Sequence, residues 1–170
     1  MKKSKLNKNI DRPWIKYYKE GVSPNLKYSD ASMYGYLLEA VSKFPENTAY
    51  EYYGKTVTFR EFYDEIKNAA KSLRAQGVKE NDRVTICMPN TPSAITMFYA
   101  TNMVGAVASM VHPLSAEKEI EIYLNESESS FLFVLDLVYD KARNIVDNTK
   151  VKKIVIGSVS DNLKPIKKLL

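Results

Sequence analysis

His112 and Cys87 are the only histidine and the only cysteine among 170 residues, and they bound the chemistry the chain can hold. A protein zinc site takes three or four ligands, drawn mostly from these two residue types, so one of each builds none. A thiolate–imidazole nucleophile pair is the remaining use, because both residues fall at the ends of predicted strands. That pair needs a cationic setting for the thiol. Cys87 instead lies in an apolar run, where a free cysteine packs as a small hydrophobe. His112 follows Val111 at the carboxyl end of a predicted parallel strand, the edge at which α/β proteins bind ligands. It also precedes Pro113, in a loop where a hydrogen-bonded structural histidine is the favoured reading.

Phosphate chemistry needs closely spaced glycines, since backbone amides must reach the phosphates without a Cβ in the way. The six glycines are Gly21, Gly35, Gly54, Gly77, Gly105 and Gly157, and the nearest two stand fourteen residues apart. No phosphate loop or dinucleotide fingerprint can be assembled from them. Glu117, Glu119, Glu121, Glu126 and Glu128 invite a metal or acid–base reading, but their spacing spreads them around the wet side of one helix and its end. The twelve tyrosines, clustered at Tyr50, Tyr52 and Tyr53 and at Tyr34 and Tyr36, suit half-buried strand and helix edges. The expectation is therefore a chain without catalytic, cofactor-binding or metal residues of its own.

The elements that would position such groups alternate along the chain. Residues 32–44 form a helix with Met33, Leu37, Ala40, Val41 and Phe44 as its stripe. Residues 49–53 and 55–59 form a hairpin around Gly54. A helix over 59–76 opens with Thr58 and Glu61 placed for a reciprocal capping box and closes at Gly77. Its buried stripe is Phe59, Phe62, Ile66, Ala69, Ala70 and Leu73. A strand over 83–88 follows, then a helix over 92–104 capped by Thr91 with Pro92 in its first turn. The next strand, 106–111, is expected to be buried on both faces. Ser115 is expected to cap the following helix, with Ile120, Tyr123 and Leu124 inward. A strand at 131–135, a helix at 137–146 and a strand at 153–156 complete the series. Short apolar strands separated by amphipathic helices predict an α/β fold, a largely parallel sheet with helices on both faces and a small hairpin beside it.

Charge divides the chain into three. Residues 1–19 carry seven Lys/Arg against one Asp, residues 150–170 six Lys against one Asp, and residues 20–149 twelve basic against eighteen acidic side chains. An acidic body with basic ends lacks the domain-wide basic face of a nucleic-acid binder, and the ends allow at most a peripheral touch on an anionic membrane. The resulting division is a basic N-terminal extension (1–28), an α/β subdomain (29–160) and a basic C-terminal tail (161–170). No apolar run follows the leading lysines as in a secretory signal, and one cysteine forms no internal disulfide, so the expected compartment is the cytoplasm.

Five segments, in order, resemble the adenylate-forming (AMP-dependent) synthetase and ligase superfamily, acyl-CoA synthetases in particular. KTVTFREF (55–62) resembles the family's Thr-Tyr-x-Glu-Leu motif, with Phe59 and Phe62 in place of Tyr and Leu. GVKENDRV (77–84) resembles its Gly-Asp turn, with Asn81 where glycine is usual, a residue the left-handed region tolerates. MPNTP (88–92), NMVGAV (102–107) and VHPLS (111–115, with His112 where asparagine is common) complete the set. The resemblance covers about residues 30–157. It implies the first subdomain of a ligase that turns a carboxylic acid, ATP and CoA into an acyl-CoA through an acyl adenylate, with ATP, Mg2+ and CoA as cofactors of the longer enzyme. The family's Ser/Thr/Gly-rich phosphate loop comes after the matched region, so the expectation is a chain that stops before the ATP-binding loop and is inactive alone. Long-chain fatty acid is the default substrate. The rest of the ligase chain is the expected partner, and a homodimer stays open. The alternative is a free-standing, non-catalytic interaction module derived from the ligase fold; an unrelated α/β enzyme using His112 and Cys87 is a further rival.

Overall fold

In the computed structural model, residues 12–163 are described. Backbone contacts divide the chain into Met1–Asp30 and Ala31–Leu170.

The larger unit is built from local signals that close cleanly. Helix α1 (Met33–Lys43) starts at Ser32, whose hydroxyl accepts the Gly35 N–H at 3.1 Å. Strands β1 (Thr48–Tyr52) and β2 (Lys55–Thr58) pair antiparallel. Tyr53 and Gly54 between them both take positive φ, +48° and +78°, as a twist-matched two-residue hairpin turn requires. Helix α2 (Phe59–Ala75) opens with the full capping box: Thr58 Oγ1 accepts the Glu61 N–H at 3.2 Å, and Glu61 accepts the Thr58 N–H at 2.8 Å. The Thr58 N–H and the Thr58 hydroxyl, the latter at 2.9 Å, both donate to the Glu61 carboxyl and hold it below its ordinary range. Thr58→Ala removes the cap and is expected to cost about 1 kcal/mol in a urea titration. A cost indistinguishable from zero would mean that packing alone starts this helix.

Three helices end in the same way. The Gly77 N–H reaches Arg74 O and the Val78 N–H reaches Leu73 O after α2; Gly105 and Ala106 repeat the pattern on Asn102 and Thr101 after α3 (Pro92–Met103). Glu128 and Ser129 repeat it on Asn125 and Leu124 after α4 (Glu117–Glu126). This is the paired closure that uses one left-handed residue. Glycine fills that position twice, while Glu128 takes it at φ +52°. Asn81 is also left-handed, at +66°, and its N–H donates to Gly105 O.

Strands β3 (Arg83–Cys87), β4 (Val107–Val111), β5 (Phe131–Leu135) and β6 (Lys153–Gly157) form one parallel sheet in the order β4-β3-β5-β6. Helix α5 (Tyr139–Ile145) lies between β5 and β6 in sequence, flanked by short 3-10 turns at Asp136–Val138 and Val146–Asn148. Helices α1, α2 and α3 pack together, and α4 packs on α5, giving one helical layer to each face of the sheet. All five residues of β5 and the last four of β3 are buried. The α/β class, the parallel sheet and the extra hairpin are thus as the sequence predicts.

Four local expectations are corrected. The strand at 107–111 is an edge strand, so Val107 and Met110 are exposed; continuous apolar character is compatible with an edge when only one neighbour exists. Ala116, not Ser115, precedes α4, and its N–H is capped by Glu119. Tyr123 lies beside the inward pair Ile120 and Leu124 but is itself exposed. On α1 only Leu37 is fully buried, and Met33 and Phe44 at its two ends face solvent.

Candidate functional site

Parallel sheets bind ligands outside the carboxyl ends of their strands, where successive crossovers leave to opposite faces. Here that point lies between β3 and β5, because β4 is added on one side of β3 and β5 on the other. The β3 side contributes Met88, Pro89, Asn90 and Thr91. Thr91 is buried and its hydroxyl accepts the Ala94 N–H, so it is committed to starting α3. The β5 side contributes Asp136, whose Oδ1 accepts the Leu137 N–H at 2.7 Å. Thr91 and Asp136 thus each serve the turn that carries them.

His112 and Cys87 stand on neighbouring strands, since Cys87 is in register with Val111. The structure still does not join them as a nucleophile and its base. His112 is exposed, and its Nδ1 accepts the Leu114 N–H at 3.2 Å, a local turn bond. Cys87 is fully buried. Burial pushes its thiol from an ordinary 9.0 up to about 11, against an opposing pull from the Lys141 ammonium. Lys141 itself donates to Ser115 O at 3.1 Å. Iodoacetamide is expected to leave Cys87 unmodified in the folded chain at pH 8 and to label it fully in denaturant. The same burial gives a pH dependence. Folding holds the thiol proton more tightly than the unfolded chain does, so this contribution to stability is intact below about pH 9 and lost as the pH rises towards 11. Cys87→Ala is expected to flatten that part of the curve of denaturant midpoint against pH.

One buried polar arrangement escapes a reading of the sequence. Thr85 Oγ1 lies 2.7 Å from Ser129 Oγ, which lies 2.8 Å from Ser127 Oγ. Ser127 donates to Leu124 O, so the hydroxyl protons run in one direction, from Thr85 through Ser129 and Ser127 to the end of α4. No motif announces this chain, because it depends on the left-handed Glu128 bringing Ser129 over β3. Its outer end adjoins an open depression of about 450 Å³ lined by Ser109, His112, Ser115, Tyr123, Glu126 and Ser127 among others. Among the described residues no group of three or more His, Cys, Asp or Glu is placed to hold a metal ion. Glu117, Glu119 and Glu126 of α4 are exposed as expected, whereas the Glu121 side chain is only 14% exposed and is paired to Lys118 at 2.6 Å.

This geometry defines a doubly wound α/β subdomain whose edge groups maintain loops. The family of AMP-binding enzymes matches residues 37–169. The chain belongs to that family. The long-chain-fatty-acid–CoA ligase of Bacillus subtilis is 29% identical over 152 residues, which are 89% of this chain and 27% of the relative. The peroxisomal trans-cinnamate:CoA ligase of Petunia hybrida is 30% identical over 112 residues, 66% of this chain and 20% of the relative. The crystal structure of a long-chain-fatty-acid-CoA ligase from Archaeoglobus fulgidus superposes with a TM-score of 0.72 at 25% identity, covering 81% of this chain and 30% of that one. The chain thus spans less than a third of the length of each of these relatives.

Proposed function

We propose that these residues are the first α/β subdomain of an acyl- or aryl-acid CoA ligase, supporting an active site assembled with other segments of the same polypeptide. The observation that carries this reading is the match of residues 37–169 to AMP-binding enzymes together with CoA-ligase relatives along 89% of the chain. A long-chain fatty acid is the proposed substrate, because ligases for such acids recur among the relatives. The rest of the ligase is the proposed partner, with self-association through the exposed β4 edge as a secondary contact and the cytoplasm as the compartment.

ATP, Mg2+ and CoA are the proposed cofactors of the longer enzyme, but the residues described here do not fit them. The six glycines are too dispersed to cradle phosphates, and the described residues hold no metal-binding cluster. No step of adenylation or thioester formation is therefore assigned to this chain. ATP–pyrophosphate exchange with a panel of carboxylic acids is the test. The expected result is no turnover by the 170-residue chain, and exchange above background would refute the supporting role.

A further inference from the structure

Residues 12–30 form a small unit in which every described side chain except that of Ile15 is exposed. That exposure includes six large apolar residues: Trp14, Tyr17, Tyr18, Val22, Leu26 and Tyr28, with Tyr17 at 77% and Tyr28 at 83%. The unit is held in shape by its own polar groups. A 3-10 helix at Pro13–Tyr17 leads through a turn at Gly21, φ +86°, and the Arg12 guanidinium then clasps Asn25 Oδ1 at 2.8 Å and Pro24 O at 3.3 Å. Ser23 Oγ donates to Asn25 O at 2.6 Å. The clasp keeps the aromatic arm and the Val22–Leu26 arm on one closed loop. In sequence, residues 1–30 carry eight Lys/Arg against Asp11, Glu20 and Asp30, and Lys16, Lys19 and Lys27 belong to the loop itself. Lys16 lies over the Tyr17 ring, 5.0 Å from its centre.

We infer that this N-terminal unit docks on the surface of an anionic lipid bilayer. Tryptophan and tyrosine rings, apolar in body and polar at the tip, settle at headgroup level. Lysines are drawn to the negative surface potential. Neither signal alone gives stable attachment, whereas the two together do, and here both sit on one loop. Val22 and Leu26 match acyl chains and have no use on a nucleic-acid base. A net charge of like sign opposes a second copy of the same unit as the occupant. The inference does not rest on the ligase reading and can fail or stand separately from it.

Trp14 is the only tryptophan in the chain, so its fluorescence reports on this unit alone. The 170-residue chain is titrated with vesicles of phosphatidylcholine, and with vesicles in which one third is phosphatidylglycerol. The expected result is a blue shift of Trp14 emission on the anionic vesicles, with partitioning at least about tenfold above that on neutral ones and reduced about tenfold in high salt. Tyr17→Ser with Leu26→Ser keeps the reporter and is expected to weaken partitioning about tenfold. Lys16→Gln with Lys19→Gln is expected to weaken it at anionic vesicles only. The urea midpoint of each variant confirms that the body remains folded. The inference is overturned by any of four results: no shift on anionic vesicles, equal binding to neutral ones, an equal shift with single-stranded RNA, or a shift that follows protein concentration without lipid.

Discussion

Leu132→Ala is expected to lower the stability of the chain by about 3 kcal/mol, within the range for removing a buried leucine side chain and leaving a cavity. Leu132 is fully buried on the inner strand β5, between Thr85 of β3 and Ile154 of β6. Both helical layers close over β5, so the hole cannot be filled by movement towards solvent. A loss of this size is a large part of a typical domain's total stability, and it corresponds to a fall in thermal midpoint of about 10 °C. Ile156 provides the contrast. It sits on edge strand β6 at 50% exposure, and Ile156→Ala is expected to cost less than about 1 kcal/mol. Leu132→Val, at about 1 kcal/mol, extends the series to a variant that accumulates readily. Equal costs at Leu132 and Ile156 in urea titrations would show that β5 is not the centre of the core.

The contrast between those two residues also marks where the sequence can be read and where it cannot. Three helix ends were legible because they are decided within four residues: Thr58 with Glu61 and Thr91 with Pro92 at the starts of α2 and α3, and Gly77 at the close of α2. Asn81 was legible for the same reason, as its left-handed backbone is a property of one residue and its turn. The exposure of Val107 and Met110 was not, since it depends on strand order, which sets distant segments side by side. The apolar text of β4 and β5 looks alike, yet one strand has two neighbours and the other has one. Tyrosines divided likewise. Tyr50 does pack, edge-on to Phe62 at 5.4 Å between ring centres, whereas Tyr17 and Tyr28 are mostly exposed. Local sequence carries no marker for that difference. The candidate site was least legible of all, because its parts lie in loops that serve themselves. His112 stands at the ligand edge, where the sequence favours a hydrogen-bonded structural histidine, and its Nδ1 accepts the Leu114 amide.

The hydroxyl chain beneath α4 gives the second large effect, and its sign pattern is the informative part. Ser129→Ala is expected to cost about 2 kcal/mol, because it leaves the Thr85 hydroxyl sealed inside the sheet without an acceptor. Thr85 is fully buried, so no solvent can replace the lost partner. Thr85→Val removes the other end and should cost less, under about 1 kcal/mol, since Ser129 still donates to Ser127 and its hydroxyl remains satisfied. The direction of the chain fixes this asymmetry: the acceptor at its outer end is Leu124 O, so a break near the interior strands one donor and a break at the start strands none. The double variant is therefore expected to be more stable than Ser129→Ala alone, a coupling that independent sites would not show. A double-mutant cycle in urea measures it. Additive losses at Thr85 and Ser129 would mean that the two hydroxyls do not act as a pair, and that closure of α4 by the left-handed Glu128 positions Ser129 for packing alone.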